Sequence, residues 1–312
     1  MARHYGIPYM GSKQKIVDKI VPFILNRHPN ADAFYDLFGG GGSVALYTVQ
    51  KYPHLRVVYN ERSKAISALM QHLKDNGDIP IDFVTRKEFE QNYKGDDWYA
   101  GVLQTCWAFG NNQKSYVYGT EIEEFKNHLH NVAIGKSDDI ERLNALINKY
   151  AHQKGIDYNA NIYLNLSRYK TSYQRRIAFS RQVTNPSLGH IKLLQSMYWM
   201  DKLEQVKNMP GISYLDIVQG GNYDEVAITG EHPIIYCDPP YENTAEYREG
   251  SFDSRAFYDW AMAQSYPVYI SSYLISDNRF ILVKAIKKQS LLAKRYTSDS
   301  YNYENLYWNG VQ

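Results

Sequence analysis

Apolar positions recur along the first third of the chain in the periods that regular structure uses. Ile16, Val17, Ile20, Val21 and Ile24 fall on one face of a helix, with Ser12 placed as its N-cap ahead of Lys13-Gln14-Lys15. Pro22 predicts a kink or an end inside that helix. Ala33-Phe34-Tyr35-Asp36-Leu37-Phe38 reads as a strand. Gly39-Gly40-Gly41-Gly42 follows, and Ser43-Val44-Ala45-Leu46 opens the next helix. Pro53 separates that helix from a second strand, Arg56-Val57-Val58-Tyr59, which ends on Asn60-Glu61. Strand, glycine loop, helix, strand, acid is the order of a nucleotide-binding βαβ unit.

Further along, Ile140, Leu143, Leu146 and Ile147 share one helix face and read as packing. Gly135 to Asp139 and Gln182 to Ser187 read as polar loops between helices. Ser213-Tyr214-Leu215-Asp216 precedes a second apolar run, Pro233-Ile234-Ile235. That run reads as a buried strand ending in Tyr236-Cys237-Asp238-Pro239-Pro240-Tyr241.

Two of these segments bring chemistry. Residues without Cβ let backbone approach a ligand closely and adopt positive φ, and the helix N-terminus behind the glycines favours negative charge. Glu61, about twenty residues beyond the loop, is placed to accept hydrogen bonds from both hydroxyls of a ribose. The loop matches neither Gly-x-Gly-x-x-Gly nor a P-loop, and alone it also fits a flexible tight turn. At Asp238-Pro239-Pro240-Tyr241 a carboxylate accepts hydrogen bonds, two prolines fix the backbone and a ring offers a flat face. Together they suit a planar amine such as the exocyclic amino group of adenine. Alone they also fit a proline-stiffened surface turn.

Composition narrows the classes. The chain has 312 residues, of which 44% are hydrophobic and 22% charged, as in ordinary globular proteins, and it contains no apolar run long enough to span a membrane. Its start lacks the apolar core of a signal peptide. Cys106 and Cys237 make neither a disulfide framework nor a metal-ligand cluster, so a reducing, cytoplasmic location is expected and no metal is. The net charge of +2 hides an uneven distribution. From Tyr158 to Met200 there is no acid, while Arg168, Lys170, Arg175, Arg176, Arg181 and Lys192 all fall there, leaving the rest of the chain net acidic. Tyr163, Tyr169 and Tyr173 interleave with these cations. A basic block with tyrosines fits a polyanion partner, and also a plain solvated face.

Tyr9-Met10-Gly11-Ser12-Lys13, Asp36-Leu37-Phe38-Gly39-Gly40-Gly41-Gly42-Ser43, Asn60-Glu61 and Asp238-Pro239-Pro240-Tyr241, in this order, resemble the Dam-like, alpha-class DNA adenine-N6 methyltransferases. Ser251-Phe252-Asp253, Val268-Tyr269-Ile270-Ser271-Ser272-Tyr273 and Glu304-Asn305-Leu306-Tyr307 are similar to phage, prophage or restriction-modification members. The resemblance covers the two ends of the chain well and the middle poorly. It implies S-adenosyl-L-methionine as cofactor, with Phe38, Gly40 and Gly42 matching the loop that cradles it, alongside Gly39, Gly41 and Ser43. It implies Asp36 near the methionine part, Lys13 with Tyr9 and Met10 closing over the cofactor, and Glu61 on the ribose. For the cofactor's adenine, Asp216 is preferred over Asn222-Tyr223.

The chemistry implied for the motif is that Asp238 and the Pro239 carbonyl accept the two hydrogens of a flipped adenine's N6, Pro240 braces the turn and Tyr241 stacks on the base. The expected fold is α/β, a Rossmann-like methyltransferase sheet built from residues 1–68 and 207–312. A mainly helical target-recognition domain at 69–206 interrupts it. Trp107-Ala108-Phe109-Gly110-Asn111-Asn112-Gln113-Lys114 sits at the centre of that insert. Lys114, Arg168, Lys170, Arg175, Arg176 and Arg181 are the candidate contacts to double-stranded DNA. A monomer or weak dimer is expected. Cytosine-N4 or RNA amino-methylation, or an inactive DNA-binding relative, are the alternatives.

Overall fold

A computed structural model of the chain describes residues 5–241, 252–287 and 303–312. Ser251 of the quoted motifs and the Lys192 side chain lie outside what is described. The chain forms two compact units. The first is Met1–Gly77, Asp96–Gly101 and Lys202–Gln312, and the second is Asp78–Gly95 and Val102–Asp201.

The first unit is built on a seven-stranded sheet. Its strands are β1 (Ala33–Asp36), β2 (Arg56–Glu61), β3 (Leu215–Gln219), β4 (Pro233–Cys237), β5 (Val268–Ser272), β6 (Ile281–Lys287) and β7 (Tyr303–Trp308), in the order β3-β2-β1-β4-β5-β7-β6. The pairings from β3 to β5 are parallel, whereas β7 runs antiparallel to both β5 and β6. Every residue of β1, β4 and β5 is buried, the pattern of strands covered on both faces. Tyr35, Leu37, Val58, Ile235, Cys237 and Ile270 form one core with Phe257 and Tyr258, and Trp260 packs at its edge.

The order places a switch point between β1 and β4. From β1 the chain builds outward through β2 and β3, then returns to the other side of β1 as β4 and continues to β5. Crevices outside the carboxyl ends of strands form at such points. In register, Asp36 sits opposite both Tyr59 and Tyr236, so the ends of β1, β2 and β4 come together.

Among the described residues, α1 (Val17–Arg27), α2 (Ser43–Lys51), α3 (Lys64–Lys74) and α10 (Ser254–Ala263) lie wholly within this unit. One local expectation for α1 is corrected. The helix begins at Val17, with Ile16 and not Ser12 at its N-cap, because Lys13 is held outside it by its amide bond to Ser43 Oγ (3.1 Å). It runs through Pro22 to Arg27. Pro22 is only partly buried and costs one hydrogen bond, while Val17, Ile20, Val21, Ile24 and Leu25 all bury on the opposite side.

The second unit contains the helices α4 (Arg86–Asn92), α6 (Glu123–Ile134), α7 (Ile140–Gln153) and α8 (Ser172–Gln182), while α5 (Trp98–Cys106) and α9 (Gln195–Lys207) contribute residues to both units. Leu143, Leu146 and Ile147 are buried on α7 as their spacing predicts, and Thr171 with Gln174 forms a capping box on α8. Lys126 is buried inside this unit, and its ammonium donates to the carbonyls of His190 (3.2 Å), Ile191 (2.7 Å) and Leu193 (2.7 Å). Among the described residues no helix is long and apolar enough to cross a membrane.

Candidate functional site

A cavity opens at the carboxyl ends of β1, β2 and β4. Tyr9 to Lys13, Asp36 to Gly41, Ser43, Asn60 to Arg62, Gly221 to Tyr223, Asp238, Pro240, Tyr241, Phe252 and Tyr273 line it. It therefore gathers most of the expected cofactor residues and three of the four residues of the proline motif. Pro239 is buried and Gly42 stands behind the lining, both outside the cavity wall.

The glycine loop follows β1 because no side chain fits where it turns. A Cβ on Gly39 would lie 2.2 Å from the Tyr59 ring, and Gly42, at φ 75°, occupies the left-handed region as N-cap of α2. The loop is tied to β2 twice. The Gly40 amide donates to Glu61 Oε2 (2.7 Å), and Tyr59 Oη donates to the Gly40 carbonyl (2.6 Å). Glu61 Oε1 also accepts from the Ser63 amide (2.8 Å), so the carboxylate is fixed through both oxygens where Glu61 lines the cavity.

Asp36 ends β1 with its Oδ2 accepting the Ala45 amide (3.1 Å) in the first turn of α2. Burial pushes its carboxyl up to about 8, with the Asp238 and Glu61 charges adding to the rise and the Ala45 amide and Lys13 opposing it. Burial thus favours the neutral form of Asp36.

Lys13 bridges the two ends of the chain. Its ammonium, on a residue only 4% exposed, donates to Asp238 Oδ2 (2.5 Å), Tyr241 Oη (2.9 Å) and the Gly11 carbonyl (3.2 Å). Tyr241 Oη lies 2.6 Å from Glu304 Oε1 and 3.2 Å from Asp238 Oδ1. Ser271 Oγ donates to the same Glu304 oxygen, and Tyr273 packs edge-on to Tyr241 at 4.6 Å. Burial first, then the Asp238 and Glu304 charges, hold the Tyr241 hydroxyl far above the ordinary phenol range, so it remains a donor.

On the β3 side the wall is aromatic. Phe38 stacks on Tyr223 at 5.4 Å and meets Phe252 edge-on at 5.7 Å. Asp216, the acid preferred there from sequence, lies elsewhere. It pairs in register with Val58, three residues short of the Glu61 rung, and bonds Arg56 Nε at 2.7 Å on a half-exposed surface. Three residues of strand is roughly 10 Å. Asn222 and Tyr223, just past β3, line the cavity in its place.

Chemically, the cavity suits a ligand with several distinct parts. Asp36, Glu61 and Asp238 make it acid-rich and favourable to a cation. Glu61 offers acceptors to a diol, and the aromatic wall offers a flat surface to a base. Among the described residues no group of His, Cys, Asp or Glu is arranged to hold a metal ion. Sequence reasoning gave no role to Glu304, Ser271 or Tyr273. The available signal was an acid among the tyrosines, leucine and tryptophan of β7, and Glu304 is 1% exposed.

The basic candidates divide in the second unit. Arg168, Lys170, Arg181 and Lys114 are exposed. Arg175 is turned to structure, its guanidinium donating to the Tyr169 (2.9 Å) and Ala133 (3.2 Å) carbonyls. Arg176, 13% exposed, pairs with Asp201, one residue past the acid-free window. Lys114 closes a short loop in which Ala108 pairs with Tyr116, Trp107 is buried and Phe109 is exposed.

A mostly parallel α/β sheet in this order, with a glycine loop and an acid-rich cavity at its carboxyl edge, defines a Rossmann-like methyltransferase. Comparison with protein families makes the class specific: the D12 class N6 adenine-specific DNA methyltransferase family matches residues 9–263. The chain belongs to this family and is an enzyme that methylates adenine N6 in DNA. Such methyltransferases generally take the methyl group from S-adenosylmethionine. A search of curated proteins found no match.

Proposed function

We propose that the cavity binds S-adenosylmethionine and a flipped adenine of double-stranded DNA side by side, and that Asp238 receives the target amine. The observation that supports this most is the position of Asp238 and Tyr241 in the same cavity as Asp36, Glu61 and the glycine loop. In this reading Glu61 holds the ribose hydroxyls, Asp36 faces the cationic methionine end, and Asn222 and Tyr223 take the adenine end expected of Asp216. Lys13, Tyr9 and Met10 close the cavity from the N-terminal side.

The cofactor supplies a methyl group activated by a sulfonium. The protein's part is to prepare the amine. Adenine N6 is a poor nucleophile because its lone pair is delocalised into the ring. Asp238 and the Pro239 carbonyl accept hydrogen bonds from its two N–H groups, which lets the nitrogen move toward sp³ and turn its lone pair outward. After transfer, with the thioether as leaving group, the methylated N6 loses one proton to solvent. Tyr241 and Tyr273 border the base. Catalysis is then positioning and electrostatics. The N6 atom is inaccessible to in-line attack within a duplex, so the base is flipped.

The second unit supplies target recognition, with Arg168, Lys170, Arg181 and Lys114 as its free cationic surface. Arg175 and Arg176 serve mainly to hold that surface. A cytoplasmic location follows from the substrate.

The test is incubation with methyl-labelled S-adenosylmethionine and plasmid DNA, followed by sequencing for N6-methyladenine. Incorporation at adenine that is lost in Asp238→Ala, with cofactor binding retained, is expected. Incorporation only into cytosine or RNA, or an active Asp238→Ala variant, overturns the reading.

A further inference from the structure

We propose that Glu304 is a positioning residue for methyl transfer, taking over Lys13 when the target amine takes Asp238. The inference rests on the reading of Asp238 as the carboxylate that receives the amine.

Asp238 carries the Lys13 ammonium on one oxygen and faces the Tyr241 hydroxyl with the other. Lys13 Nζ bonds Oδ2 at 2.5 Å, and the Tyr241 hydroxyl lies 3.2 Å from Oδ1. An amine that donates one hydrogen to Asp238, the other going to the Pro239 carbonyl, competes with Lys13 for that carboxylate. Lys13 is almost fully buried, and a buried ammonium left without a counter-charge is strongly disfavoured. The displaced cation therefore needs a second carboxylate within reach.

Glu304 is that carboxylate. Its Oε1 stands 3.5 Å from Lys13 Nζ, so a shift of roughly 0.7 Å makes a charge-assisted hydrogen bond. It is held ready by two hydroxyls, Tyr241 at 2.6 Å and Ser271 at 2.5 Å. The β-sheet explains the arrangement. Ser271 on β5 pairs with Leu306 on β7, and Glu304 is two residues from Leu306, hence on the same face as Ser271. Tyr241 already lies nearer Glu304 than Asp238, so its hydroxyl keeps its main acceptor when Asp238 turns to the base. No proton changes hands. Lys13 stays an ammonium and exchanges one carboxylate for another.

Glu304→Gln separates charge from shape, because the amide oxygen still accepts from Ser271 and Tyr241. Wild type, Glu304→Gln, Glu304→Asp and Ser271→Ala are compared by single-turnover transfer to plasmid DNA, cofactor affinity by calorimetry and melting temperature. Glu304→Gln is expected to transfer methyl about tenfold more slowly or worse, with cofactor affinity, melting temperature and KM for DNA near wild type. Glu304→Asp, which keeps the charge, recovers part of the rate, and Ser271→Ala loses less than Glu304→Gln. In a structure with the target adenine bound, Lys13 Nζ is expected within hydrogen-bond distance of Glu304. Wild-type rates in Glu304→Gln, equal losses in the Gln and Asp variants, or Lys13 still on Asp238 beside a bound base each overturn the proposal alone. A wild type that transfers nothing to adenine overturns it together with the reading of Asp238.

Discussion

The Gly40 amide donates to Glu61 Oε2 across 2.7 Å, joining the loop after β1 to the acid that ends β2. The bond ties a flexible glycine run to a rigid strand end. It also aims the carboxylate at the cavity where a ribose is proposed to lie.

Glu61→Ala is therefore expected to weaken S-adenosylmethionine binding by about 10- to 100-fold, the range for hydrogen bonds to a charged group. Calorimetry checks this. An unchanged affinity would remove Glu61 from the cofactor site.

Asp36 is expected to make cofactor binding depend on pH. Its carboxyl titrates at about 8 in the ligand-free protein because it is buried. A cationic ligand favours the ionised form, so binding at neutral pH expels a proton and affinity rises between about pH 6 and pH 8. Stability runs the other way. With a folded pKa above the unfolded value of 3.8, the contribution of Asp36 is complete below the unfolded value and is lost as pH rises to about 8. Asp36→Asn should flatten both profiles. Calorimetry in buffers of different ionisation enthalpy and melting curves across pH measure them.

Asp238→Asn is expected to lower the methyl-transfer rate by about 10²–10³-fold while S-adenosylmethionine still binds, since only the approach of the amine is impaired. Retention of the wild-type rate would exclude Asp238 as the acceptor of the amine.

In the second unit, neutralising Arg168, Lys170 and Arg181 together is expected to weaken DNA binding and to reduce its salt slope by about one for each phosphate no longer neutralised, with the melting temperature unchanged. Arg176→Ala should instead cost about 1–2 kcal/mol of stability, because its pairing with Asp201 and the packing of its stem both disappear. Binding titrations across salt concentrations and chemical denaturation distinguish the two effects.

Lys126→Met keeps an apolar stem of similar length but deprives the carbonyls of His190, Ile191 and Leu193 of their shared donor. A loss of about 2–4 kcal/mol is expected, because buried carbonyls are costly to leave unsatisfied. Denaturant unfolding of the whole chain checks it, and an unchanged midpoint would show that these carbonyls find other donors.

Much of this enzyme follows from local sequence. Strand, glycine loop, helix and strand between Ala33 and Glu61 are legible because period, glycine and N-terminal helix preference are properties of neighbouring residues. The same holds for the apolar run into Asp238-Pro239-Pro240-Tyr241. Tertiary structure decided what depends on register and on partners distant in the chain. Asp216 looks like a strand-end acid, but its pairing with Val58 leaves it short of the cavity and against Arg56. Arg176 looks like a free cation until the fold brings Asp201 to it. Lys13, Asp238, Tyr241, Ser271 and Glu304 meet only because β7 enters antiparallel beside β5 and the N-terminal segment returns to the end of β4. A buried charge is tolerable only with its counter-charge in place, and which residues supply it is set by the packed sheet.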